Sequence, residues 1–134
     1  MALLSGMEAF RTATAEFLRG VGYDVIDEDV RQGLDRLAAM PSLDAILLDV
    51  PIETDDGLAA CARLREAGKA PYIVLANAAG LEAMAHALES GARYVLLKPV
   101  RPDLLLERLA GLIQPRAGVP SAPPAGETGA AATS

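Results

Sequence analysis

Leu43-Asp44-Ala45-Ile46-Leu47-Leu48-Asp49-Val50-Pro51 (residues 43–51) decides the fold, because it ends an unbroken apolar run with an ionisable group. Ala45 to Leu48 do not alternate with polar residues. A continuous short apolar run is the pattern of a strand buried on both faces, as in a mainly parallel sheet whose two sides are covered. Asp49 closes that strand. Open α/β sheets place their chemistry in the crevice beyond the carboxyl ends of the strands, so Asp49 is a functional candidate by position. The other reading, that it caps the strand end or a nearby turn, stands beside this one.

Working outward, short apolar runs alternate with amphipathic segments. Downstream of the aspartate, the spacing predicts a helix over 57–67 with Asp56 as its N-cap, then a strand over Tyr72–Ala76. Leu81, Met84 and Leu88 define a further helix closed by Gly91. Tyr94–Leu97 is predicted as the last strand, and Leu105, Leu109 and Leu112 as a last helix beginning near Pro102. Upstream, Ala2–Leu4 is predicted as a first strand. Phe10, Thr14, Phe17 and Val21 share one face of a helix that Gly20 or Gly22 can end. Tyr23–Ile26 is predicted as a strand, and Val30, Leu34 and Leu37 as a helix running to Met40 and stopped by Pro41.

Five strands alternating with five helices through short loops predict a flavodoxin-like, doubly wound (βα)5 domain: a parallel five-stranded sheet with helices on both faces. The chain has 134 residues, enough for one domain and one continuous core. The domain is expected over 1–114. The remainder, 115–134, is rich in Pro, Ala and Gly without apolar periodicity, and is expected to be a disordered tail or linker. The chain is 51% hydrophobic, yet no apolar run is long enough for a membrane span. The N-terminus lacks the basic and apolar regions of a secretory signal. One cysteine, Cys61, excludes an internal disulfide and suits a reducing compartment. A cytoplasmic location is therefore expected. A net charge of −6 with scattered basic residues argues against binding nucleic acid.

Taken together, LDAILLDV, the DDG that ends at Gly57, PYIVLA, and ESGARYVLLKP resemble the receiver domain of bacterial two-component response regulators, over about residues 2–114. The resemblance implies that Asp49 accepts a phosphoryl group from a histidine kinase and that Lys98 is the lysine closing the fifth strand. It also implies Mg²⁺, held by Asp49, the main-chain carbonyl of Pro51 and an acidic pair after the first strand. Such a set makes physical sense, since phosphoryl transfer is mainly positioning and charge stabilisation, and Mg²⁺ takes hard oxygen ligands. A cis Lys98–Pro99 bond is a further implication. So is a surface for pairing with a second copy or a partner, built from the fourth helix, fifth strand and fifth helix, with Arg93, Tyr94, Arg101 and Leu104 as its candidates.

Several positions depart from the family pattern. Ser5 and Gly6 stand where the acidic pair is expected, Ala76 where a Ser or Thr ends the fourth strand, and Val95 where an aromatic is usual, with Tyr94 one place earlier. Proline falls at Pro51, and Ile52-Glu53 replaces the usual Met-Pro. With the acidic pair missing, Mg²⁺ affinity and phosphorylation are expected to be much reduced. Glu8, Asp27, Glu28 and Asp29 are the carboxylates that could substitute. His86 reads as a surface or packing residue, Cys61 as a buried inert thiol, and the leucines at 104–106, 109 and 112 as core plus an exposed patch. Three functions remain open: a pseudo-receiver working by protein interaction, a conventional phospho-accepting receiver, and an unrelated flavodoxin-like enzyme or nucleotide binder. The last lacks a Gly-rich phosphate loop after the first strand. With nothing after residue 114 expected to fold, output is expected to be a binding event or to belong to residues outside this chain.

Overall fold

The computed structural model describes residues 1–77 and 80–113. In chain order the elements are β1 (Ala2–Ser5), α1 (Glu8–Val21), β2 (Ile26–Glu28), α2 (Val30–Arg36), β3 (Ile46–Asp49), α3 (Asp55–Ala67), β4 (Tyr72–Ala76), α4 (Leu81–Glu89), β5 (Tyr94–Leu97) and α5 (Pro102–Ala110). All strand pairs are parallel, in the order β2-β1-β3-β4-β5. This is the doubly wound sheet expected from the apolar runs. The tail assigned to 115–134 lies outside the described residues.

The sheet divides the apolar side chains between two layers. On one side Leu4, Ile46, Leu48 and Val74 pack with Leu34, Ala60, Cys61 and Leu64 of α2 and α3. On the other, Leu3, Leu47, Ile73 and Leu75 pack with Ala15 and Leu18 of α1 and Leu105 and Leu109 of α5. Alternate residues of each strand thus face opposite layers, and both layers are apolar. This explains why β3 shows no polar alternation. Burying a Leu or Ile side chain completely contributes about 1.5–3 kcal/mol.

Four local expectations are corrected. The second strand is Ile26–Glu28 rather than Tyr23–Ile26. It is an edge strand paired only to β1, so its polar residues remain half-exposed, while Tyr23 and Val25 enter the core ahead of it. The second helix ends at Arg36 and passes into a 3₁₀ turn, Leu37–Ala39, rather than running on to Met40. In α1 the buried face is Ala15 and Leu18, with Phe10 and Val21 half-buried against them, and Phe17 turns outward. In α4, Leu81 and Leu88 are 84% and 47% exposed, and the contact is made by Ala87, Ala83 and Met84. The expected faces are therefore right in part: Phe10, Val21 and Met84 pack against the core, while Phe17, Leu81 and Leu88 turn outward.

Cys61 is buried as expected. The leucines of α5, and Leu112 just after it, all turn at least partly to the core: Leu105 and Leu109 are buried, and Leu104, Leu106 and Leu112 are half-buried against them. None is an exposed large apolar residue. The Lys98–Pro99 bond is cis, as the resemblance implies.

Candidate functional site

Strand register brings the site together. β1 and β3 pair with Ser5 opposite Asp49, both at the strands' carboxyl ends. Connections leave β1 toward β2 on one side and reach β3 on the other, so this point is the topological switch of the sheet. β5 ends beside β4, where the Lys98 N–H donates to the Ala76 carbonyl at 2.7 Å. Lys98 thereby follows the last strand into the same crevice.

Both carboxylate oxygens of Asp49 are engaged. Ser5 Oγ donates to Oδ2 at 2.7 Å, and Lys98 Nζ lies 2.7 Å from Oδ1. The Asp49 and Lys98 side chains are only 7% and 15% exposed, so the pair is shielded and its attraction is little screened. Ser5 Oγ in turn accepts the Met7 N–H at 3.1 Å, and Arg11 Nη1 donates to the Ser5 carbonyl at 2.9 Å. The hydroxyl is therefore fixed by two bonds, and the Ser5 main chain by a third. Lys98 is held as well: its ammonium stands 4.2 Å from the centre of the Phe10 ring and 3.7 Å from Met7 Sδ. A cation over an aromatic face gains about 0.5–2 kcal/mol.

On the far side of Asp49 the chain turns sharply into α3. The Pro51 carbonyl accepts both the Thr54 N–H at 3.2 Å and Thr54 Oγ1–H at 2.8 Å. Thr54 is also the N-cap of α3, its Oγ1 accepting the Gly57 N–H at 3.0 Å. The cap is thus Thr54 and not Asp56, because the turn fixes Thr54 first. A Cβ at Gly57 would overlap the Pro51 carbonyl, so only glycine lets α3 start this close to β3.

A cavity of about 440 Å³ opens over Asp49, with Met7, Val30, Asp56, Asn77 and Lys98 around it. Of the groups that the resemblance assigns to Mg²⁺, Asp49 and the Pro51 carbonyl are present, and Ser5 and Gly6 stand in place of the acidic pair. Asp49 already holds a hydroxyl proton and an ammonium, Pro51's oxygen already accepts two donors, and Gly6 has no side chain. Of the four carboxylates named as substitutes, three engage other groups through at least one oxygen. Asp27 pairs with Arg11 and Arg19, Glu28 with Arg36 at 2.6 Å, and Asp29 caps α2 by accepting the Arg31 N–H; Glu8 is exposed in the first turn of α1. Among the described residues no group of three or more His, Cys, Asp or Glu side chains could hold a metal ion.

The remaining sequence-predicted residues lie apart from Asp49. Arg93 is exposed before β5; Tyr94 is half-buried with Arg108 5.1 Å over its ring; Arg101 is exposed and pairs with Asp103 at 2.6 Å; Leu104 is half-buried. Sequence reasoning took Ser5 only as a lost carboxylate and missed it as a donor. Met7, Phe10 and Thr54 were missed too. The one available signal for Ser5 was its place at the end of a strand that must lie beside β3.

Residues 7–110 match the response regulator receiver domain family. The chain is 30% identical over 103 residues to the chemotaxis protein CheY of Treponema pallidum, covering 74% of this chain and 72% of that protein. It is 34% identical over 108 residues to the response regulator MprA of Mycolicibacterium vanbaalenii, covering 79% of this chain but only 46% of MprA. Among solved structures it is similar to a response regulator from Thermotoga maritima (TM-score 0.73, 25% identity, 84% of this chain and 94% of that one). It is also similar to the BeF3-activated N-terminal receiver domain of Klebsiella pneumoniae RstA (TM-score 0.73, 26% identity, 83% and 95%). With an aspartate and a lysine meeting beyond the carboxyl ends of a β2-β1-β3-β4-β5 sheet, and with this family match over most of its length, the chain belongs to the response regulator receiver domain family.

Proposed function

We propose that this receiver domain is an atypical one, which signals by protein–protein interaction and has weak or absent Mg²⁺-dependent phosphorylation at Asp49. The observation that carries this reading is the Ser5 hydroxyl bound to Asp49 Oδ2 at the position where a metal-binding carboxylate is expected. Phosphoryl transfer to Asp49 would bring further negative charge to a shielded site. Like charges about 4 Å apart repel by about 4 kcal/mol at an effective dielectric of about 20. Among the described residues Lys98 is the cation paired with Asp49, and no hydroxyl stands at Ala76 to hold a phosphoryl oxygen.

The second reading, a conventional phospho-accepting receiver, is favoured by Asp49 facing an open cavity with Lys98 beside it. On either reading the domain is a signalling module rather than an enzyme, and its partner is a histidine kinase or another signalling protein in the cytoplasm. A homodimer through α4, β5 and α5 would use Arg93, Tyr94, Arg101 and Leu104, to which the exposed Leu81, Leu88 and Leu97 add apolar surface. No helix among the described residues is long and apolar enough to cross a membrane.

The test is intact mass after incubation with acetyl phosphate and Mg²⁺, on the wild type, on Asp49→Ala, and on the double variant Ser5→Asp/Gly6→Asp. A side chain at position 6 has room, since a Cβ there would meet only Asp29 Oδ1, at 3.7 Å. The expected result is little or no adduct on the wild type and a single phosphoryl adduct on the double variant. A wild-type adduct as complete as that of the double variant, and lost in Asp49→Ala, overturns the proposal in favour of the conventional reading.

A further inference from the structure

Two hollows run into one another beside Asp49. The cavity over the aspartate and a second of about 460 Å³ between α2 and α3 share Val30, Asp56 and Ala60, so they form one groove. Its floor is apolar, made by Val30, Leu34 and Ala60. At the far end Arg63 of α3 reaches Asp35 of α2 at 3.2 Å and closes it. The floor exists because α2 sits low on the sheet: a Cβ at Gly33 would overlap the side chain of Leu4.

The charges along this groove do not balance. Lys98 is neutralised by Asp49 and Arg63 by Asp35, which leaves Asp29 and Asp56 against Arg31. Asp55 and Glu53, both exposed, add to the excess at the α3 end. The Asp56 side chain makes no hydrogen bond or ion pair with any described residue. Asp29 spends Oδ2 on capping α2, and its Oδ1 points toward Gly6. Thus an apolar floor lies between two carboxylates on opposite walls, one of them unpaired.

We propose that this groove receives a segment of a partner protein that carries a lysine or arginine between apolar side chains. The cation sits between Asp29 and Asp56, and the apolar neighbours and the aliphatic stem lie on Val30, Leu34 and Ala60. The inference rests on the reading of the domain as one that works by protein interaction, and it names the chemistry of the partner. Charge complementarity selects this occupant over a second copy of the chain, whose own excess of acidic residues opposes such a contact.

The test titrates the purified domain with a short fluorescein-labelled peptide of Leu, Ala and Arg, at an ionic strength of about 0.15 M where loose charge attraction is screened. Backbone amide chemical shifts locate the contact. Binding is expected with shifts confined to residues 29–34 and 56–63. Asp29→Asn/Asp56→Asn, which retains a capping side chain at 29, is expected to weaken binding about tenfold. Glu16→Gln/Glu107→Gln, in α1 and α5, is expected to leave it unchanged. Equal binding by the Asp29/Asp56 variant, shifts spread over α1 and α5, or equal binding of spermidine and peptide each overturns the proposal. Because the readout needs no phosphate, a complete wild-type adduct in the earlier experiment would refute the atypical reading without deciding this one.

Discussion

At the scale of single residues, Asp49 is a shielded carboxylate whose two oxygens depend on two different partners. Removing Lys98 leaves a nearly buried charge unpaired, and breaking such a pair costs about 3–5 kcal/mol. Lys98→Met is expected near the lower figure, because Ser5 still donates to Asp49 and the lysine is 15% exposed. Ser5→Ala removes one donor to a charged group and is expected to cost about 1–3 kcal/mol. Urea unfolding of the two single variants and the double variant checks both. A double-variant cost equal to the sum would show that the two donors do not act on one carboxylate. Asp49 was legible in the sequence because it ends an apolar run, and Lys98 through the resemblance that its Lys-Pro helps to carry. The Ser5 bond was not, since it depends on which residue of β1 lies opposite Asp49, and register is a property of the assembled sheet.

At the scale of elements, strand and helix types and most helix starts were legible, while the start of α3 and parts of the α1 and α4 faces were not. The apolar runs at 45–48 and 72–76 became strands because parallel strands buried on both sides need only apolar character, and the run at 94–97 became the edge strand β5, which is only partly buried. The start of α3 was misplaced because three consecutive residues, Thr54, Asp55 and Asp56, can all cap a helix, and only the Pro51 turn chooses between them. Thr54→Ala is accordingly expected to cost about 1–2 kcal/mol, by loss of the cap and of a bond to Pro51. Asp56→Ala loses only its interaction with the helix dipole, about 0.3–1 kcal/mol. Thermal unfolding distinguishes them, and the reverse order would restore Asp56 as the cap. The α4 correction has its own test. Leu88→Gln is expected to change stability by less than about 0.5 kcal/mol. Ala87→Leu must force a larger side chain against the sheet and is expected to cost about 1–3 kcal/mol.

At the scale of the whole molecule, two apolar layers flank one sheet, and the layer beneath α3 contains buried titratable groups. Burial pushes the Cys61 thiol above its usual range, with the Ser90 hydroxyl partly opposing the shift. Burial likewise raises Tyr72, whose hydroxyl donates within the Cys61 and Ser90 carbonyl pair at 3.2 and 3.0 Å. The sign follows from proton counting. Below about pH 8.5 the thiol is protonated in both folded and unfolded chains, and its contribution to stability is fully present. Above that, the unfolded chain ionises while the folded chain keeps its proton, so the unfolded state binds fewer protons and stability falls as pH rises toward the folded pKa. The urea midpoint of the wild type is therefore expected to drop between about pH 8 and pH 10. Cys61→Ala should flatten the earlier part of that fall, leaving the later part to Tyr72, whose own reference lies near pH 10. Native Cys61 should also react with a thiol reagent only as fast as the domain opens. Rapid labelling at pH 8 without denaturant would mean that the layer beneath α3 is accessible. In that case the thiol would ionise in the folded chain as well, and the fall in stability with pH would have to come from another group.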